Sequence, residues 1–154
     1  MKFNINQSLD RSLVILKHKH SQKVEIEKKY GEFPLIDCYP NKLEQVFINI
    51  LSNASDAIDE NGKISIATKK TNKEGKEYTH ISIKDNGQGM TEKVKKRIFE
   101  PFYTTKEVGS GTGLGLAISH SIIESHQGFI EVESEVGKGT VFNIYIPKQI
   151  LPKS

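Results

Sequence analysis

Two rhythms of apolar positions run along this chain. From Asn41 to Asp59, the residues Leu43, Val46, Phe47, Ile50, Leu51, Ala54 and Ile58 recur at i, i+3, i+4 and i+7 spacings. They form one stripe, and the spacing predicts a long amphipathic helix. Asn41 stands where a cap belongs, with Glu44 three residues later, and Asn61-Gly62 ends the segment in a turn. Asn6 to about His20 carries Leu9, Leu13, Ile15 and Leu16 and predicts an earlier helix; Thr112 to His126 predicts a later one. Elsewhere the period is two, as in half-buried strands. Val24 and Ile26 alternate with Glu25 and Glu27 in a strand running to Tyr30, and Leu35 to Tyr39 reads as a short strand stopped by Pro40. Lys63–Lys70 and Glu77–Asp85 predict one hairpin, joined through a polar Thr71–Lys76 loop. Phe129–Glu135 and Thr140–Ile146 predict a second, across Gly137-Lys138-Gly139.

Between Met90 and Gly111 the periodicity is poor. A short basic helix (Thr91 to Phe99) is followed by Pro101 and several glycines, and a connection of this length reads as a functional lid. Pro147–Ser154 reads as a frayed tail. The order is helix, strands, helix, hairpin, lid, helix, hairpin. It predicts an α+β fold: a two-layer sandwich with about three helices on one face of a mixed, mainly antiparallel sheet, spanning 1–154 as one domain.

Composition narrows the class. With 36% apolar and 27% charged residues, the chain can bury a core and is no disordered tail. A net charge of +3 is too small to attract nucleic acid or an anionic membrane by field alone, so neither is expected as a partner. The lone Cys38 excludes an internal disulfide and a Cys-rich zinc site, and fits a reducing compartment. Apolar runs are only a few residues long, which excludes a membrane-spanning helix, and Met1-Lys2-Phe3-Asn4 lacks the apolar stretch of a signal peptide.

Of the 12 glycines, six fall between Gly87 and Gly115, which marks where chemistry is expected. Asp85 continues the apolar face of Ile81 and Ile83. A carboxylate there is costly unless a group donates to it, and a purine amino group is one such donor, with Gly87 and Gly89 letting backbone approach a flat base. Taken alone, Asp85-Asn86-Gly87 reads first as a plain turn, since Asp and Asn favour turns. Further on, Gly109, Gly111, Gly113 and Gly115 alternate into a helix start, where free N–H groups and the helix dipole suit phosphate. The spacing is neither a P-loop nor a dinucleotide fingerprint. Asn49 and Asn53 lie one turn apart on the flank of the long helix, with Asp56 near the same flank. They read either as half-buried polar residues or as oxygen ligands of a phosphate-bound Mg²⁺, Asp56 acting through water. Thr140 shares a face with Phe142, Ile144 and Ile146; its hydroxyl reaches a base pocket or bonds backbone.

Together these segments resemble one family. Leu43-Glu44-Gln45-Val46-Phe47-Ile48-Asn49-Ile50-Leu51-Ser52-Asn53-Ala54, Asp85-Asn86-Gly87-Gln88-Gly89-Met90, Ile98-Phe99-Glu100-Pro101-Phe102-Tyr103-Thr104-Thr105-Lys106, Gly111-Thr112-Gly113-Leu114-Gly115-Leu116 and Gly137-Lys138-Gly139-Thr140-Val141-Phe142 occur in the family's order. The chain is similar, from Phe3 to Pro147, to the catalytic ATP-binding domain of sensor histidine kinases, in the superfamily of gyrase, the heat-shock chaperone and the mismatch-repair ATPases. The resemblance implies that Asp85 accepts from the adenine amino group, that Asn53 and Asn49 hold Mg²⁺, and that the glycine loop wraps the triphosphate. It implies a lid from Phe99 through Phe102 to Lys106, with Lys106 on a phosphate. The nucleotide-binding set is then Asn53, Asp56, Asp85, Gly87, Gly89, Met90, Phe102, Gly111, Thr112, Gly113, Leu114, Gly115, Leu116 and Thr140, with Asn49 and Lys106 catalytic. Some members carry a basic residue where Asp56 stands, and Gln127 replaces a glycine often found before Gly128.

Position 49 separates activities within that superfamily. Its ATPases place a water-activating glutamate four residues before the metal asparagine; the Asn49 amide is no base, so hydrolysis should be slow and the γ-phosphate kept for another acceptor. The resemblance implies a histidine acceptor on a helical hairpin, usually followed by an acidic residue. The five histidines here precede Lys19, Ser21, Ile81, Ser121 and Gln127, so none fits. The acceptor domain is expected on another segment of a parent protein or in trans, with a response regulator downstream. A cytoplasmic position is expected, including that of the cytoplasmic part of a membrane-bound sensor. The alternatives are a free-standing ATPase or serine-directed kinase of the superfamily, and an interaction module that has lost nucleotide.

Overall fold

The computed structural model describes residues 2–19, 24–32, 35–58, 62–103 and 114–149, with residues 18 and 19 described by backbone alone. The elements are β1 (Lys2–Phe3), α1 (Ile5–Lys19), β2 (Val24–Tyr30), β3 (Ile36–Asp37), α2 (Pro40–Asp56), β4 (Gly62–Lys73), β5 (Lys76–Asp85), α3 (Glu92–Lys95), α4 (Gly115–Ser125), β6 (Phe129–Glu135) and β7 (Gly139–Pro147). Five strands form one sheet in the order β2-β4-β5-β7-β6; β1 and β3 pair separately. Only β2–β4 is parallel, and α2 lies in the crossover between them. The α+β sandwich with a mixed sheet is therefore the observed fold.

One face of the sheet carries the core. Ile64 and Ile66 of β4, Ile81 and Ile83 of β5, and Phe142, Ile144 and Ile146 of β7 are all buried. Against them α2 lays Leu43, Val46, Phe47, Ile50, Leu51 and Ala54, each at most 1% exposed. The α1 helix packs on α2, and α4 packs on α2, β6 and β7. Fully burying one Leu, Ile or Phe is worth about 1.5–3 kcal/mol, so this stripe dominates the stability of the layer. Along α1 the buried positions are Ile5, Leu9, Leu13 and Leu16, with Ser8 and Ser12 between them; Ile15 points outward.

Several boundaries differ from the sequence expectation for identifiable reasons. The first residue of α2 is Pro40, and Tyr39, not Asn41, is its N-cap. Proline suits the first helical position because its missing N–H would have no partner there. Glu44 closes no capping box: its Oε1 accepts from Ser8 Oγ at 3.1 Å and from Arg11 Nε at 2.8 Å, tying α1 to α2. The first long hairpin is tighter than expected. Lys73 pairs with Lys76, and Glu74 and Gly75 at φ 52° and 79° form the two-residue turn. Two positive φ values match the right-handed twist of the flanking strands, so the ladder runs to the tip. The basic helix after Met90 shortens to one turn, α3, capped by Thr91 Oγ1, which accepts from the Val94 N–H at 3.2 Å.

His126, the last residue of the helix that the sequence predicts from Thr112, lies just past α4 and is a buried joint. It is 1% exposed; its Nδ1 lies 2.8 Å from the Ile122 carbonyl, and its Nε2 accepts from the Tyr39 N–H at 3.1 Å. A carbonyl only accepts and an amide N–H only donates, so the ring is the neutral Nδ1–H tautomer. It satisfies the N–H at the start of α2 that no side-chain cap serves. Burial, with Lys42 nearby, pushes its pKa below the ordinary 6.5, against the Ile122 bond. The unfolded chain therefore takes up a proton first as pH falls. Stability present above pH 6.5 should be lost as pH drops from 6.5 through the folded value, with a slope approaching about 1.4 kcal/mol per pH unit between the two. Urea melts between pH 7.5 and 5 should show that loss in the wild-type protein and a flatter profile in His126→Phe.

Candidate functional site

The alternation that buries Ile81 and Ile83 also buries Asp85, which is 2% exposed at the end of β5. Its Oδ1 accepts from the Gly87 N–H at 2.9 Å, and the backbone of Thr140 donates to the carboxylate as well. Burial pushes its pKa above the ordinary 3.8, and the two backbone bonds oppose that rise. Among the described residues no cationic side chain offsets that rise; peptide dipoles hold the acid. Thr140 is its directly opposite partner on β7.

The segment after Asp85 is clamped from two sides. Asn86 Oδ1 accepts from the Lys63 N–H at 2.8 Å, and the Gln88 N–H donates to the Ala57 carbonyl at 3.1 Å. On the far side the Gly137 N–H donates to the Gln88 carbonyl at 2.8 Å, and the Met90 N–H to Ser134 Oγ at 2.8 Å. This explains the glycines differently from the sequence expectation. A Cβ on Gly87 would sit 2.3 Å from the Ala57 oxygen; one on Gly89, at φ 73°, would sit 2.0 Å from the Glu135 oxygen. Both glycines let the chain press against its own backbone, a requirement that holds with or without a ligand.

The α2 helix links this region to the second half of the site. Its end at Ala57 touches the loop after Asp85. Asn53 lies four residues earlier, about 6 Å along the axis, and Asn49 eight residues earlier, about 12 Å. Asn49 and Asn53 are half-buried, and Asp56 is exposed. Asn49 meets the start of α4: its Nδ2 donates to the Gly115 carbonyl at 3.2 Å and to Ser119 Oγ at 3.3 Å. Leu114 is the N-cap of α4, and Gly115 and Leu116 open it, partly buried. A Cβ on Gly115 would find Asn49 at 3.7 Å, so the fit there is close but not forced.

The structure thus brings Asp85, Gly87, Gly89, Met90 and Thr140 together at one end of α2, and Asn49 with Gly115 farther along it. Met90 packs against the core, and the Phe99 ring meets that of His120 of α4 at a tilt of 34°, with centroids 4.9 Å apart. Phe102 lies in a turn at φ 66° and is 73% exposed. Lys106, Gly111, Thr112 and Gly113 lie outside the described residues, as does most of the expected lid. Among the described residues no cluster of three or more His, Cys, Asp or Glu side chains could hold a metal. Two amide-bearing residues suit a hard cation that keeps waters and takes its remaining oxygens from phosphates. Burial pushes the Cys38 thiol up to about 11, so it carries no reactive thiolate.

Two residues escaped the sequence reading. Ser119 lies one helical turn after Gly115 and is fully buried. Ser134 lies directly across from Thr140 on β6, and its Oγ is 2.8 Å from Thr140 Oγ1. The only sequence signals were an i, i+4 step from a glycine and a strand register, and serine is common at both kinds of position.

Comparison with known proteins agrees with this geometry. The sequence profile of the "Histidine kinase-, DNA gyrase B-, and HSP90-like ATPase" family matches residues 38–150. Sporulation kinase E of Bacillus subtilis (strain 168) is 54% identical over 116 residues, covering 75% of this chain and 15% of that relative. The nucleotide-free catalytic domain of the histidine kinase ThkA superposes with a TM-score of 0.82 at 32% identity, covering 96% of this chain and 95% of that one. ThkA in complex with the response regulator TrrA superposes with a TM-score of 0.79 at 30% identity, covering 97% of this chain and 42% of that one. The chain spans a small part of its curated relative's length, and among the described residues no helix is long and apolar enough to cross a membrane. It belongs to the histidine kinase-, DNA gyrase B- and HSP90-like ATPase family.

Proposed function

We propose that this chain is the ATP-binding catalytic domain of a two-component sensor histidine kinase, which presents the γ-phosphate of Mg·ATP to a histidine on a separate helical hairpin. The observation that carries the choice of phosphotransfer over hydrolysis is Asn49. An amide, bonded through its nitrogen to Gly115 and Ser119, occupies the place where the superfamily's ATPases need a base. Asp85, buried and held by the backbone N–H groups of Gly87 and Thr140, takes the adenine amino group, with Thr140 beside it. Asn53 and Asn49 lend amide oxygens to Mg²⁺, which when bound supplies charge neutralisation for the phosphates. Asp56, exposed on the same flank, supports that shell through water. The start of α4 at Leu114, Gly115 and Leu116 continues from Gly111, Thr112 and Gly113 and receives the phosphates on its N–H groups. Lys106 and the segment from Phe102 close over them. The phosphorylated hairpin then serves a response regulator, as the complex of the relative ThkA with TrrA supports. The domain acts in the cytoplasm.

Asp85→Asn should weaken ATP binding roughly ten- to hundredfold by calorimetry, the worth of a hydrogen bond to a charged acceptor. ATP affinity of the wild-type protein should also fall as pH drops through the folded pKa of Asp85. Burial raises that value above the ordinary 3.8, so the loss sets in at a higher pH than for a free aspartate. An Asp85→Asn protein that binds ATP as tightly as wild type sinks the assignment of the base pocket.

The isolated chain should bind ATP, turn it over slowly and leave itself unlabelled by γ-labelled ATP. Added to a histidine-bearing hairpin of the parent protein, it should transfer label that acid releases and base does not. Steady turnover at ordinary enzyme rates by the chain alone would favour a hydrolase.

A further inference from the structure

We propose that Ser119 is a positioning residue for Asn49, fixing which end of its amide faces the metal and phosphates; this rests on the reading of Asn49 above. The argument is one of proton accounting. The Gly115 carbonyl can only accept. Two side chains approach it: Ser119 Oγ at 2.9 Å and Asn49 Nδ2 at 3.2 Å. Both must therefore donate. Ser119 has one hydroxyl hydrogen, and the Gly115 oxygen takes it. The contact between Ser119 Oγ and Asn49 at 3.3 Å then has only one polarity, with the serine accepting from the amide nitrogen. The triangle closes with no choice of donor left.

The nitrogen end of the Asn49 amide thus faces the first turn of α4, which turns Oδ1 away from it. An asparagine amide is otherwise a two-fold rotor whose ends have nearly the same shape and opposite polarity. The Gly115 oxygen alone would accept one hydrogen and leave rotation about the side-chain torsion loose; the Ser119 oxygen, one turn along, supplies the second point that sets the plane. Ser119 is fully buried, so no water competes for that bond. It touches neither nucleotide nor metal in this role. It acts through Asn49, and it couples the first turn of α4 to the amide on α2.

The test is a cycle of Ser119→Ala and Asn49→Ala, reading ATP affinity by calorimetry in Mg²⁺ and in EDTA. Ser119→Ala should weaken binding in Mg²⁺ roughly two- to tenfold, the worth of one hydrogen bond, and leave binding in EDTA unchanged. On the Asn49→Ala background it should cost nothing more. An equal loss in EDTA, or the full loss added to that of Asn49→Ala, overturns the proposal. If Asn49→Ala weakens Mg²⁺-dependent binding and Ser119→Ala does not, the metal reading of Asn49 stands and the role of Ser119 falls. If Asn49→Ala leaves Mg²⁺-dependent affinity intact, both fall. A second measurement needs no variant. In the wild-type protein the Asn49 amide proton that faces Gly115 and Ser119 should exchange slowly with water by NMR, and rapid exchange of it overturns the triangle.

Discussion

The burial of one stripe of α2 against the sheet fixes everything else in this molecule. Leu43, Val46, Phe47, Ile50, Leu51 and Ala54 leave the helix no freedom to roll, because a turn of even one position would bring polar residues into the core. The flank carrying Asn49 and Asn53 is thereby aimed. The same helix ends at Ala57, whose carbonyl receives Gln88 and crowds Gly87. One rigid rod thus sets the spacing between the buried acid and the amides. The other helices serve this placement: α1 is tied to α2 through Glu44, and α4 through Asn49 at one end and His126 at the other.

Asp85 runs against the stability of the fold. Its pKa is raised by burial, so the stability associated with its protonated form is lost as pH rises through the folded value, and the ligand-free domain bears the cost of ionising an acid in a dry place. Two backbone N–H groups soften that cost without neutralising the charge. A donor arriving from outside would complete what the protein leaves incomplete. A salt bridge at this position would stabilise the empty domain and leave less for a ligand to gain.

Long-period information survived in the sequence and close-range information did not. The α2 stripe was legible because seven apolar positions agree on one period, and the burial of Asp85 was legible because Ile81 and Ile83 set its face. The start of α2 was misplaced because Asn41 and Glu44 match a capping pair locally, while Glu44 is engaged by Ser8 and Arg11 from a distant helix. The backbone crowding at Gly87 and Gly89 left no mark in the sequence, because a glycine does not announce which neighbour needs the room. Tyr145 sits on the outer face by alternation, yet it is 6% exposed, sandwiched between His80 and Phe129 with Lys73 over its ring. Ser119 and Ser134 left no periodic signal at all, since their roles depend on which atoms meet across elements.

The hydrogen bonds around Asn49 bear on how one fold supports both phosphotransfer and hydrolysis. An isosteric carboxylate in the same seat would set an oxygen 3.2 Å from the Gly115 carbonyl, where the amide nitrogen now donates. Ser119 can rotate its hydrogen toward such a carboxylate, but the Gly115 oxygen has nothing to donate, so the repulsion there remains. A carboxylate serving as a base must lean away from α4, and α4 then loses the bond that ties its first turn to α2. The identity of residue 49 is therefore coupled to the placement of the helix whose first turn we propose receives the phosphates. A change of activity at this site involves both helices, because the amide that fails as a base is the same group that holds the two together.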